Sequence, residues 1–249
     1  MARIPLIASF LTRSRAPQPA PDRDHIEQVR LFDAAKDEFV SLVSQELRTP
    51  LTSVRGYLDL VLDGTAGELT ADQKRFLAVA ARSCERLHRL VDDLLVIAHA
   101  GAGRLSLQWD RVDLVEVARD AVERIRPAAG ERGIDLVLTT CGVAPLLADR
   151  SQIAQLAEAL LESTLAPTPP GGRVTLGVRL HGGQASIDVS APAGELGIPG
   201  SGLSLSVARA IAEAHGGTLE LRSGPRTTDI TATVPTHVPA EFELHEEAA

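Results

Sequence analysis

Cysteine is nearly absent from this 249-residue sequence: Cys84 and Cys141 stand far apart, without the paired spacing of a zinc site. A disulfide scaffold is excluded, and both cysteines read as buried small hydrophobes in a reducing compartment. Positive charge is in deficit, with 25 Lys and Arg against 33 Asp and Glu for a formal net charge of −8. That balance argues against a surface that binds nucleic acid by neutralising phosphates. Long apolar runs are missing too. The longest near the start, residues 4 to 11, is too short to span a bilayer and lacks the small-residue pattern of an export signal. The expectation is a cytoplasmic protein with no membrane span. What is present is ordinary globular composition, 44% hydrophobic and 23% charged, enough for one large domain or two smaller ones.

Residues 1 to 24 mix Arg13 and Arg15 with Pro17, Pro19 and Pro21, which predicts a disordered arm. A helical pattern then runs from about residue 26 to 62 and stops at Asp63, Gly64 and Gly67; Thr70 can cap a second helix over residues 71 to 99. Leu77, Ala80, Cys84, Leu87, Val91, Leu94 and Ala98 step alternately by three and four along that helix, the seam of a bundle. Phe39, Val43, Val54, Leu58 and Val61 give the first helix a matching stripe. One antiparallel hairpin leaves each stripe half covered, so a homodimer with four helices is expected. After Gly101 and Gly103 helices and strands alternate: strands over 105–109, 135–138, 146–148, 173–180, 185–190, 218–222 and 229–234, and helices over 113–132, 151–165 and 203–214. The fold class is therefore α+β, with a helical hairpin over 25–101, a mixed α/β sandwich over 104–236 and a solvated acidic tail over 237–249.

Residues 39 to 53, FVSLVSQELRTPLTS, resemble the phospho-acceptor box of the sensor histidine kinases of two-component signalling. By that resemblance the hairpin is the dimerisation and phosphotransfer domain, and the sandwich is a Bergerat-type (GHKL) ATP-binding domain. The stretch DRSQIAQLAEALLESTLAPTPPGGRVTL stands where the family has its asparagine box, and GSGLSLSVARAIAEAHGG where it has its second glycine box.

The reactive positions depart from the family's pattern. Gln45 stands where the resemblance puts the histidine, and a carboxamide nitrogen, delocalised into its carbonyl, is neither basic nor nucleophilic. A neutral imidazole, dominant above a pKa of about 6.5, offers a free in-plane lone pair that Gln lacks. The nearby His88 and His99 lie outside any recognisable acceptor context. The family's two magnesium-site asparagines fall at Ala159 and Ser163 and its lysine at Ala166; a methyl cannot coordinate magnesium, and Ser163 at best holds a water, with Glu158 and Glu162 as conceivable replacements. Ala191 takes the place of the adenine-binding aspartate. Residues 193 to 199 must serve where the family has a long lid with an aromatic motif, a reach of only roughly 23 Å, and no aromatic occurs between Trp109 and Phe242. Gly200, Gly202 and Leu203 keep the second glycine box, whose backbone N–H groups suit an anion. No bound cofactor is expected, since the ATP and magnesium sites read as degenerate.

Glu46, Leu47, Arg48, Thr49 and Pro50 are intact. Gln45 and Thr49 share a helix face, and Glu46 with Thr49 resembles the family's phosphatase motif, in which a hydroxyl orients water toward an aspartyl phosphate. The resulting expectation is a pseudokinase that docks a response regulator or a partner histidine kinase. The alternative is a response-regulator phosphatase using Glu46 and Thr49. A working kinase would need Gln45, Ala159, Ser163, Ala191 and the lid all compensated at once.

Overall fold

The computed structural model describes residues 23–140, 142–193 and 202–237, with side chains described from residue 40 onward except at 41 and 45. The expected arm and acidic tail, Cys141 and Gly200 lie outside the described residues or largely so. Helix α1 spans Arg23–Leu62 and α2 spans Ala71–Gly101. The turn between them closes with a capping box: Thr70 accepts from the Gln73 backbone, and the Gln73 side chain accepts from the Thr70 N–H. On α2, Cys84, Val91 and Ala98, seven residues apart, are buried, whereas Leu87 and Leu94 of the same expected seam stay exposed. Arg48–Asp92 and Arg55–Glu85 ion pairs set the antiparallel register of the hairpin.

The second unit holds strand β1 (Asp110–Asp113), helix α3 (Leu114–Glu131), strands β2 (Asp135–Thr140) and β3 (Pro145–Ala148), helix α4 (Arg150–Leu165), strands β4 (Arg173–His181) and β5 (Gln184–Pro192), helix α5 (Leu203–Ala214), and strands β6 (Thr218–Ser223) and β7 (Thr227–Pro235). Five strands form one mixed sheet in the order β2-β4-β5-β7-β6, parallel only between β2 and β4, while β1 and β3 make a separate antiparallel pair. The alternation is clean. On β5, Ala185, Ile187, Val189 and Ala191 turn inward under the helices, and Ser186, Asp188 and Ser190 face outward. Leu156, Leu160 and Leu161 of α4 and Val207, Ala208 and Ile211 of α5 complete the core. This two-layer arrangement is the expected α+β architecture. Val96 of α2 belongs to the same core, with Ile97 packed against it, so the end of the hairpin is embedded in the second unit.

The strand expected over residues 105–109 is a correction. Those residues form no strand; Leu105 packs on the core, and the pairing partner, β3, meets 110–113 instead.

Candidate functional site

Two groups of candidate residues stand on different elements. The first is the exposed turn of α1 that carries Glu46, Leu47, Arg48, Thr49 and Pro50. Gln45 lies in this helix, and its side chain is outside the described residues. Pro50 supplies no N–H to the Glu46 carbonyl four residues back, while the Thr52 hydroxyl donates to the Arg48 carbonyl at 2.9 Å. Arg48 pairs across the hairpin with Asp92, whose other oxygen lies 3.7 Å from Nε2 of His88. Glu46 and Thr49, three apart, project from one helix face to solvent.

The second group surrounds α4 and the start of α5. Asp149 caps α4: its carboxylate accepts from the backbones of Ser151, Gln152 and Gln108 at 2.9 to 3.1 Å. Burial alone would raise its pKa, but these hydrogen bonds hold it below the ordinary carboxylate range. Down the helix, Ala159 is 6% exposed, and the Ser163 hydroxyl turns back to donate to the Leu160 carbonyl at 2.8 Å. Glu158 is held by Arg124 of α3 at 2.6 Å and Glu162 by Arg89 of α2 at 2.8 Å. Burial raises the pKa of both glutamates, against the lowering pull of those arginines. The far end of α4 is clamped by Arg132, which donates to the carbonyls of Leu165, Ala166 and Thr168.

Ala191 is buried on β5 and sits directly opposite Thr228 on β7, whose hydroxyl is buried and has no hydrogen-bond partner. A carboxylate at 191 would stand within cross-strand reach of that hydroxyl, and the methyl present cannot answer it. Gly202 is the N-cap of α5, with no side-chain capping bond, and Leu203 packs half-buried on the core. Among the described residues no three or more His, Cys, Asp or Glu side chains are grouped to hold a metal, and no helix is long and apolar enough to cross a membrane.

Comparison with known proteins decides the family. Residues 35–103 match the His Kinase A (phospho-acceptor) domain. The chain is 32% identical over 209 residues to the sensor protein DivL of Caulobacter vibrioides, covering 76% of this chain and 26% of that protein. It is likewise 32% identical over 226 residues to the alginate biosynthesis sensor protein KinB of Pseudomonas aeruginosa, covering 82% and 37%. This chain belongs to the sensor histidine kinase family. Among solved structures, full-length ShkA in complex with AMPPNP superposes with a TM-score of 0.63 at 25% identity, over 82% of this chain and 46% of that one. Acinetobacter baumannii AdeS, at a TM-score of 0.55 and 21% identity over 77% and 97%, shares the fold.

In this family member the candidate residues fall into two separate places. The α1 turn and the α4–α5 region are not brought together; both instead touch α2 between residues 88 and 93. Arg89, Asp92 and Asp93 were invisible as site residues in the sequence, since their spacing of three and four is that of any exposed helix.

Proposed function

We propose that this histidine kinase family member works without kinase chemistry, as a dimeric docking protein that engages a response regulator or a partner histidine kinase through its helical hairpin. The observation that carries the reading is the fate of α4. Where the family resemblance implies two asparagines, Ala159 offers a buried methyl and Ser163 spends its hydroxyl on its own helix. Glu158 and Glu162, the replacements in reach, are each engaged by an arginine. Magnesium needs several hard oxygen ligands in near-octahedral order, and these side chains do not present them. With Ala191 in place of an adenine acceptor and Gln45 in place of the imidazole, the residues fit neither the nucleotide nor the phosphoryl transfer. The exposed seam residues Leu87 and Leu94, with the exposed Leu90 beside them, support pairing with a second copy or a partner hairpin.

Calorimetric titration with Mg-ATP tests this directly: no binding up to millimolar nucleotide and no autophosphorylation are expected, and micromolar binding would overturn it. A second reading keeps one enzymatic step. Glu46 and Thr49 stand exposed on one helix face, where a docked aspartyl phosphate would meet them, and hydrolysis there depends on positioning with the regulator supplying its own magnesium. Under that reading Thr49→Ala abolishes dephosphorylation of a response regulator by this chain while leaving its binding unchanged. A docking protein shows no such activity to lose.

A further inference from the structure

One imidazole of the hairpin has an environment that its sequence neighbours do not announce. The side chain of His88 on α2 is 31% exposed, and its Nε2 lies 3.7 Å from Oδ2 of Asp92, one turn further along the same helix. The other oxygen of that carboxylate is held by Nη2 of Arg48 on α1 at 2.5 Å. Imidazole, carboxylate and guanidinium thus stand in series, the arrangement in which a third group orients the partner of a nucleophile. The register that pairs Arg48 with Asp92 and Arg55 with Glu85 sets His88 level with Thr52. His88 is therefore about two helical turns, roughly 10 Å, from the level of Gln45, toward the closed end of the hairpin. Leu87 and Leu94 lie about 100° to 120° around α2 from it, so covering them with a second copy leaves the imidazole's flank open.

The carboxylate decides which nitrogen reacts. A proton on Nε2 is favoured beside Asp92, which leaves the in-plane lone pair on Nδ1. At 3.7 Å the contact is ion-pair range and longer than a hydrogen bond, as such contacts often are before the reacting partner arrives and tightens them. Arg48 spends one N–H group on Asp92, and a guanidinium has five, so donors remain beside the ring for the oxygens of an incoming phosphoryl group. Phosphoryl transfer asks little else of a protein than this positioning and charge. His215, by contrast, has both ring nitrogens committed inside the protein.

We propose that His88 is a phosphoryl-acceptor site on the second helix of the hairpin, taking its phosphoryl group from an acyl phosphate of the aspartyl phosphate class. The Nδ1 lone pair attacks phosphorus, and the N–P bond forms as the P–O bond to the acyl oxygen breaks. The donor's carboxylate leaves with the electrons of that bond. Nε2 keeps its proton, and Asp92 balances the positive charge that the ring then carries. Nothing is oxidised or reduced, and no nucleotide is needed. The donor class rests on the docking reading above, in which the regulator brings its own magnesium; the nucleophile rests on the geometry of α1 and α2 alone. Phosphate taken by this route stays on the chain, whereas hydrolysis at Glu46 and Thr49 releases it to solution.

The test treats the full chain with acetyl phosphate and magnesium, a small donor with the same acyl phosphate bond, and maps acid-labile, alkali-stable phosphate by mass spectrometry. His181, exposed on β4, is the comparator within the same molecule. His88 is expected to label about tenfold faster than His181, at Nδ1 by phosphorus NMR, and His88→Gln to lose that label with the His181 label unchanged. Asp92→Asn is expected to slow His88 about tenfold, the low end for losing the carboxylate behind a working histidine, and to move the phosphate to Nε2, while Asp92→Glu keeps Nδ1. The isomer separates positioning from folding, which circular dichroism verifies for each variant. Labelling of His88 no faster than His181 would overturn the site, and an unchanged isomer and rate in Asp92→Asn would overturn the part given to Asp92. Calorimetry of the wild-type chain with purified receiver domains reads docking separately: absence of binding there sinks the docking reading, and the small donor still decides His88.

Discussion

Both ring nitrogens of His215 are committed inside the protein. Nδ1 meets the Ile211 carbonyl at 2.9 Å, and Nε2 accepts the backbone N–H of Asp149 at 3.2 Å, with Trp109 packed edge-on at 5.4 Å. That pattern requires the neutral tautomer protonated at Nδ1, because a second proton would set N–H against N–H. Burial pushes the imidazole pKa below its ordinary 6.5, partly opposed by the Ile211 carbonyl and the Asp149 carboxylate. The unfolded chain therefore binds a proton that the folded chain refuses, over the window between the lowered pKa and 6.5. Stability from this residue is complete above the ordinary imidazole range and is lost as pH falls through that window. Urea midpoints at about pH 7.5 and about pH 5.5 check it: His215→Gln, whatever its absolute stability, is expected to show a smaller difference than wild type. An equal difference would show that His215 does not titrate in this way. The residue scale also marks what a sequence can carry. Gln45, Ala159, Ser163 and Ala191 were readable because each substitution changes chemistry at one position. The use of His215 was not, since it depends on a backbone N–H 66 residues away.

At the scale of elements, ends set by local chemistry were legible and ends set by a neighbour were not. Helix α5 spans Leu203–Ala214, as the glycines on either side predict, and Thr70 and Asp149 cap the helices they precede. Strand β1 escaped. Residues 105–109 alternate like a strand, yet the backbone of Gln108 is taken by the Asp149 carboxylate and the ladder starts only where β3 can pair. Asp149 is thus both a cap and the peg that holds the approach to β1. Asp149→Ala is expected to lower stability by about 2 kcal/mol, the upper range for a lost cap, because three part-buried backbone donors lose their acceptor together. Thermal or urea unfolding measures it. A loss under about 0.5 kcal/mol would mean that water replaces the carboxylate without cost.

At the scale of the whole molecule, the hairpin cannot satisfy its own apolar surface. Cys84, Val91 and Ala98 are buried, but Leu87, Leu90 and Leu94 keep 51%, 38% and 44% exposure, and Leu47, Val54 and Leu60 of α1 are comparably open. Singly exposed leucines are ordinary; six large aliphatic side chains open on two adjacent, packed helices are not. A second copy related by a two-fold axis covers each row with its equivalent and yields the four-helix arrangement that α1 and α2 lack alone. Full burial of a leucine is worth about 1.5–3 kcal/mol, and replacing it with Glu adds the cost of desolvating a charge. Leu87→Glu/Leu94→Glu, which alters four seam positions per dimer, is therefore expected to raise the dimer dissociation constant by more than about a hundredfold. Sedimentation velocity over a micromolar series reads this as a shift from dimer to monomer, with helicity preserved because neither leucine supports the core of its own chain. A wild-type chain that sediments as a monomer at tens of micromolar would assign the row to a different protein. A variant that still dimerises would place the dimer contact elsewhere on the surface.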